Sequence, residues 1–152
     1  MSKFSDRPKT LKVSDFKHYL NDEIQLGYYQ EINVAGSTET EVDAFYDSFL
    51  RDVFTKKQKF RVDVEARVAE NMNQKKADFT IRYVRLGVPK NLGHPTLYIT
   101  VNIGTYLRFY ELPPLSTDVK DWAPGGGIVY ELADDESKVW GLWLLLRDQV
   151  MQ

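Results

Sequence analysis

The chain has 152 residues, 43% hydrophobic and 28% charged, with a net charge of −2, a pI near 5.7 and no cysteine. That length suits one domain able to bury about two-thirds of its unfolded surface without covalent staples. The slight negative charge argues against broad electrostatic capture of nucleic acid, and the lack of cysteine excludes disulfides, thiolate nucleophiles and cysteine-held metal or iron–sulfur centres.

Residues 1–12 are polar, contain Pro8 and read as a loose arm without the apolar core of a signal peptide. A short helix is predicted from Ser14, with Phe16, Tyr19, Leu20 and Ile24 along one side. The stretch QLGYYQEINV (25–34) reads as a turn or irregular link. The clearest helix spans 38–54. Thr38 and Glu41 have capping-box spacing, and Val42, Phe45, Tyr46, Phe49, Leu50, Val53 and Phe54 recur at steps that form one wide apolar stripe.

A helix of that kind needs a sheet to pack on. KFRVDVEARVAE (59–70) alternates, with Phe60, Val62, Val64, Ala66 and Val68 on one face and Arg61, Asp63, Glu65 and Arg67 on the other. The polar turn ENMNQKK leads into a second alternating run through Ala77, Phe79, Ile81 and Tyr83, which completes a hairpin. A turn at Met72-Asn73 would pair Glu65 with Thr80 and Arg67 with Asp78. Two more strands, 97–103 and 106–112, meet at Gly104-Thr105. Leu97, Ile99, Val101 and Ile103 share a face there, and Leu107 and Phe109 are expected to meet them.

After a Pro- and Gly-rich loop, a short strand over 128–132 precedes a helix from about 135 to 151. Its apolar residues (Val139, Leu142, Trp143, Leu146 and Val150, widened by Trp140, Leu144 and Leu145) predict burial on more than one side. The order predicts a single α+β domain, with a mainly antiparallel sheet of about five strands packed by helices 38–54 and 135–151. No apolar run reaches the length of a membrane span, so no membrane contact is expected, and the expected location is cytoplasmic or nuclear.

Few constellations could carry chemistry. His18 and His94 stand far apart without metal-ligand spacing, and Gly125–Gly127 lead into a strand rather than the helix that a phosphate loop requires. The acidic pair Glu65 and Asp78, with Lys76 two residues before Asp78, is the best candidate catalytic set. In the predicted register the carboxylates lie about 7–8 Å apart, close enough to share a Mg²⁺ or Mn²⁺ ion. The competing interpretation is a solvated ladder face in which Glu65, Arg67, Asp78 and Arg82 form cross-strand ion pairs. Lys56, Lys57, Lys59, Arg61, Lys75, Lys76, Arg82 and Arg85 form a basic strip for which nucleic acid is a conceivable but unfavoured partner. Tyr83, Tyr98, Tyr106, Tyr110 and Tyr130 are expected mainly to pack on sheet faces or at an interface rather than to line a pocket.

VNIGTYLRFYELPP (101–114), KKADFTIRYV (75–84) and GGGIVYELADDESKV (125–139) together resemble uncharacterised fungal proteins of the restriction-endonuclease-like PD-(D/E)xK fold, over roughly residues 38–145. The resemblance implies that Asp78 is a metal ligand and that Glu41 or Glu65 is the upstream acid. It also implies an E-x-K strand, which this sequence lacks: RYVRL runs through GVPKNLGHP directly into TLYITVN. Without that strand's carboxylate and Lys, metal-assisted hydrolysis should be crippled. The expected function is therefore a degenerate, non-catalytic endonuclease-like domain without a cofactor, acting through protein contacts or homo-oligomerisation. A Mg²⁺- or Mn²⁺-dependent nuclease using Asp78 and Glu65 is the first alternative. The second is a small-molecule-binding cyclase or isomerase resembling SnoaL-like proteins, suggested by VDAFYDSFLRDVF ahead of long strands.

Overall fold

The computed structural model describes residues 10–64, 79–84 and 96–152. Its elements are helices α1 (Glu23–Ile32), α2 (Glu39–Val53) and α3 (Glu136–Met151), and strands β1 (Phe60–Val64), β2 (Phe79–Tyr83), β3 (Leu97–Ile103), β4 (Tyr106–Leu112), β5 (Lys120–Asp121) and β6 (Tyr130–Glu131). The fold is α+β, as expected, but the strands divide into two antiparallel sheets rather than one.

The first helix lies further along the chain than the spacing predicts. Val13–Asp15 form only a short 3-10 turn, and the helix occupies the stretch read as an irregular link. Asp22 starts it, its carboxylate accepting from the Ile24 and Gln25 amides at 2.8 and 3.0 Å. Gln25, Leu26, Tyr29 and Ile32 are buried. The buried Gln25 amide is satisfied by α2, donating to the Phe45 carbonyl at 3.1 Å and accepting from the Ser48 hydroxyl at 2.7 Å.

Helix α2 forms as its pattern predicts. The Glu41 carboxylate accepts from the Thr38 backbone amide at 2.7 Å and from the Thr38 hydroxyl. Val42, Phe45, Tyr46, Phe49, Leu50 and Val53 are buried along one face. Phe49 meets Trp143 of α3 at 5.6 Å between ring centroids, and Trp143 meets Phe109 of β4 at 5.3 Å, so one indole joins both helices to the sheet. Helix α3 buries Val139, Leu142, Trp143 and Leu146, but Trp140 and Leu144 are half-buried and Leu145 is exposed. One face is covered, not several.

Strands β1 and β2 pair as Phe60↔Tyr83, Val62↔Ile81 and Asp63↔Thr80. The two predicted strands pair antiparallel over these residues, while the predicted turn at Met72-Asn73 lies outside the described residues; Thr80 pairs with Asp63 rather than Glu65, a shift of two residues along β1. This shift keeps the same rows on each face. In the other sheet β3 pairs with β4 along its full length, while β5 and β6 share the far edge of β4. The short strand predicted over 128–132 shrinks to Tyr130–Glu131.

Two buried carboxylates tie the segment 17–29 to the segment 131–136. Glu136, 5% exposed, accepts from the Lys17, His18 and Leu20 amides at 3.1, 3.3 and 2.8 Å. Glu131, fully buried, accepts from the Ala133 and Asp134 amides at 2.7 Å each and from the Tyr29 hydroxyl at 2.9 Å. The Tyr19 hydroxyl donates to the Leu132 carbonyl, and burial pushes that phenol well up. Each buried charge is met by several donors, the condition under which such burial is tolerated.

Candidate interaction surface

Glu65, Lys76 and Asp78, the predicted catalytic and metal-binding set, lie outside the described residues, as does His94. Their described neighbours hold ordinary contacts. Asp63 accepts from the Arg61 guanidinium at 2.9 Å, and Arg61 and Arg82 are exposed. Glu41, the other candidate upstream acid, is committed to capping α2. Hydrogen bonds from Thr38 hold its carboxyl below the usual carboxylate range. His18 stacks on Trp140 at 6.4 Å, and its backbone amide serves Glu136. The Gly125–Gly127 stretch is a turn, with the Tyr130 hydroxyl donating to the Gly125 carbonyl at 2.7 Å. Among the described residues no group of three or more His, Asp or Glu could hold a metal ion. No described helix is long and apolar enough to cross a membrane.

The distinctive feature is the β3–β4 hairpin, where the expected packing is reversed. Ile103 pairs with Tyr106 across Gly104-Thr105, and this two-residue connection fixes the parity of every pair beyond it. Gly104 takes a positive φ of 57°, and the Thr105 carbonyl accepts from the Leu132 amide at 3.0 Å, anchoring the turn. Leu107 and Phe109 enter the core, and their partners are Asn102 and Thr100. Leu97, Ile99, Val101 and Ile103 instead face Leu112, Tyr110, Arg108 and Tyr106 on the opposite, outer face. The expectation that Leu107 and Phe109 would meet them is thus corrected. The core took the apolar row of β4, and the turn then forced the apolar row of β3 outward.

The result is an inverted strand. Leu97 is 56% exposed, Val101 46% and Ile103 73%, whereas the core side of β3 carries Tyr98, Thr100 and Asn102. A half-solvated strand normally alternates the other way. Asn102 marks the cost inside: its Nδ2 donates to Thr100 Oγ1 at 3.2 Å, but its Oδ1 is buried and unpartnered among the described residues. Tyr98 packs edge-on against Trp122, with burial and the nearby Glu111 carboxylate pushing its phenol up.

The outer face has defined borders. Arg108 sits beside Val101, gripped by both Asp121 oxygens at 2.8–3.0 Å and lying 5.3 Å from the Tyr110 ring centre. Gly127 packs so tightly there that a Cβ would stand 3.0 Å from Asp121 Oδ2. At the turn end a shallow open cleft of about 320 Å³ is lined by Ile32, Val34 and Ala35 on one side and by Gly104, Thr105 and Tyr106 on the other. Of the tyrosines singled out in the sequence, Tyr130 is buried, while Tyr83, Tyr98, Tyr106 and Tyr110 are half-buried and do not gather around one pocket.

Comparison with known proteins adds no family to this description. No protein-family model matches the chain, and searches of curated proteins and of solved structures give no match.

Proposed function

We propose that this chain is a non-catalytic α+β contact domain, of the degenerate endonuclease-like type its sequence resembles, whose working surface is the outer face of β3 and the edge of β3 that no described strand pairs with. The observation that carries this reading is the inverted strand: Leu97, Val101 and Ile103 stand in solvent while polar side chains take the inner row. Apolar area left in water forgoes about 25 cal/mol per Å² of burial, and a row of this kind is retained where a partner covers it.

The edge itself supports the same reading. Strand β3 carries no charge, no proline and no bulge along its seven residues, the devices that usually blunt a free edge. Among the described residues no strand pairs with that edge. An extended segment can add there through backbone hydrogen bonds while its side chains read the apolar row.

Two assays test the proposal. A library of extended peptides displayed against the whole protein should enrich binders with alternating apolar residues, and Val101→Lys should weaken them by about tenfold or more, with Lys57→Glu as the distant control. A nuclease assay with Mn²⁺ should show no phosphodiester hydrolysis. Hydrolysis that disappears in Asp78→Ala would replace the contact reading with the metal-dependent nuclease. Equal peptide binding by the wild type and Val101→Lys would remove β3 as the surface.

A further inference from the structure

We infer that the occupant of the β3 edge is the β3 strand of a second copy, paired antiparallel about a twofold axis at Thr100. This inference rests on the contact-domain reading above and names its partner. Backbone parity decides which groups are free. In a two-residue hairpin the closing pair, here Ile103 and Tyr106, is hydrogen-bonded, and hydrogen-bonded pairs then alternate. Ile103, Val101, Ile99 and Leu97 therefore direct their amides and carbonyls to β4. Tyr98, Thr100 and Asn102 direct theirs to the other edge, which no strand among the described residues covers.

A twofold axis at Thr100 uses all of these free groups. Thr100 faces Thr100 of the other copy, and Tyr98 faces Asn102 at either end, which makes about six backbone hydrogen bonds. The intervening positions become the non-hydrogen-bonded pairs, in which side chains approach most closely. They bring Ile99 against Val101 and Leu97 against Ile103 on the outer face. Every odd position thus meets an apolar partner, no charge lies opposite another, and the patch is self-complementary, as an isologous interface requires. Pairing joins the four-stranded sheets of two copies into one continuous sheet and sets Tyr106 and Tyr110 beside the covered row. A paired edge with one row of side chains is smaller than a standard interface of about 1,600 Å², so the dimer dissociates on dilution.

The absence of native cysteine makes a register-specific test clean. Ile99→Cys and Val101→Cys are prepared separately as full chains, mixed in equal amounts and oxidised. In the proposed register position 99 of one copy faces position 101 of the other, which puts the two introduced thiols within disulfide reach, whereas like positions are about 7–8 Å apart on a diagonal. The mixed disulfide should exceed both symmetrical ones severalfold by mass spectrometry. Wild-type protein should rise on concentration from the 17.7 kDa chain mass toward twice that value by light scattering, and Val101→Lys, folded by circular dichroism, should stay at the chain mass. A dimer without the mixed-disulfide preference overturns the proposed pairing. A wild-type monomer at all concentrations overturns the second-copy partner, and the contact-domain reading then stands only if strand peptides still bind at β3. If neither occurs, both fall.

Discussion

Replacing Glu136 tests how the 17–20 segment is held to the start of α3. Its Oε1 accepts from the Lys17 amide, and its Oε2 accepts from the His18 and Leu20 amides, in a site only 5% exposed. Glu136→Gln keeps one acceptor oxygen and turns an NH₂ group toward at least one backbone N–H. A lost charge-assisted bond and an orphaned donor together cost about 2–3 kcal/mol. Glu136→Ala strands all three amides, for a loss of about 3–5 kcal/mol. For a domain of this size about 3 kcal/mol lowers Tm by roughly 6–12 °C. Urea unfolding gives the free energies, and amide exchange at Lys17, His18 and Leu20 localises them: these amides should exchange faster in Glu136→Gln than amides in β4. If Glu136→Ala unfolds within about 0.5 kcal/mol of wild type, the carboxylate is not the pin described here.

Two buried tyrosines, Tyr29 and Tyr46, should respond in opposite ways. Tyr29→Phe removes the hydroxyl that donates to Glu131 and should destabilise the fold by about 1–3 kcal/mol in urea unfolding. Tyr46 carries a buried hydroxyl with no hydrogen-bond partner among the described residues, so Tyr46→Phe should be neutral or stabilising in the same assay. Glu41 gives a pH dependence. Because Thr38 depresses its folded-state pKa, its contribution is present above the usual carboxylate range near 4.5 and is lost as pH falls through the lower folded value. Urea midpoints measured downward from pH 6 should show an acid loss that is smaller in Glu41→Gln.

How legible the fold was depended on whether the deciding contacts were local. Helix α2 carried its own start signal in Thr38 and Glu41 and a stripe wide enough to set its face, so it could be read directly. Helix α1 could not. It contains Gly27, and one of its buried positions is Gln25, whose burial makes sense only with the Phe45 carbonyl and Ser48 hydroxyl from α2. The β1–β2 pairing was legible as alternation, but its register was not, because alternation reads the same in registers two residues apart.

Glu131 and Glu136 look like surface residues in a list of letters; the three donors to Glu136 (Lys17, His18 and Leu20) and one of those to Glu131 (Tyr29) lie over a hundred positions away. The outer face of β3 was readable in principle. With Gly104-Thr105 as a two-residue turn, odd positions of β3 must lie opposite even positions of β4. Both apolar rows are odd-numbered, so they cannot share one face. Which row wins the core depends on Trp143, Trp122 and Tyr130 packing around Phe109, and no short-range pattern announces that.

The most direct measurement of the central claim is amide hydrogen exchange along β3 at low and high protein concentration. Pairing at the β3 edge predicts that the Tyr98, Thr100 and Asn102 amides slow as concentration rises, while the Ile99 and Val101 amides, already bonded to β4, change little. Exchange at Tyr98, Thr100 and Asn102 that stays fast at every concentration, with protection arising instead on another surface such as the exposed side of α3, would contradict it.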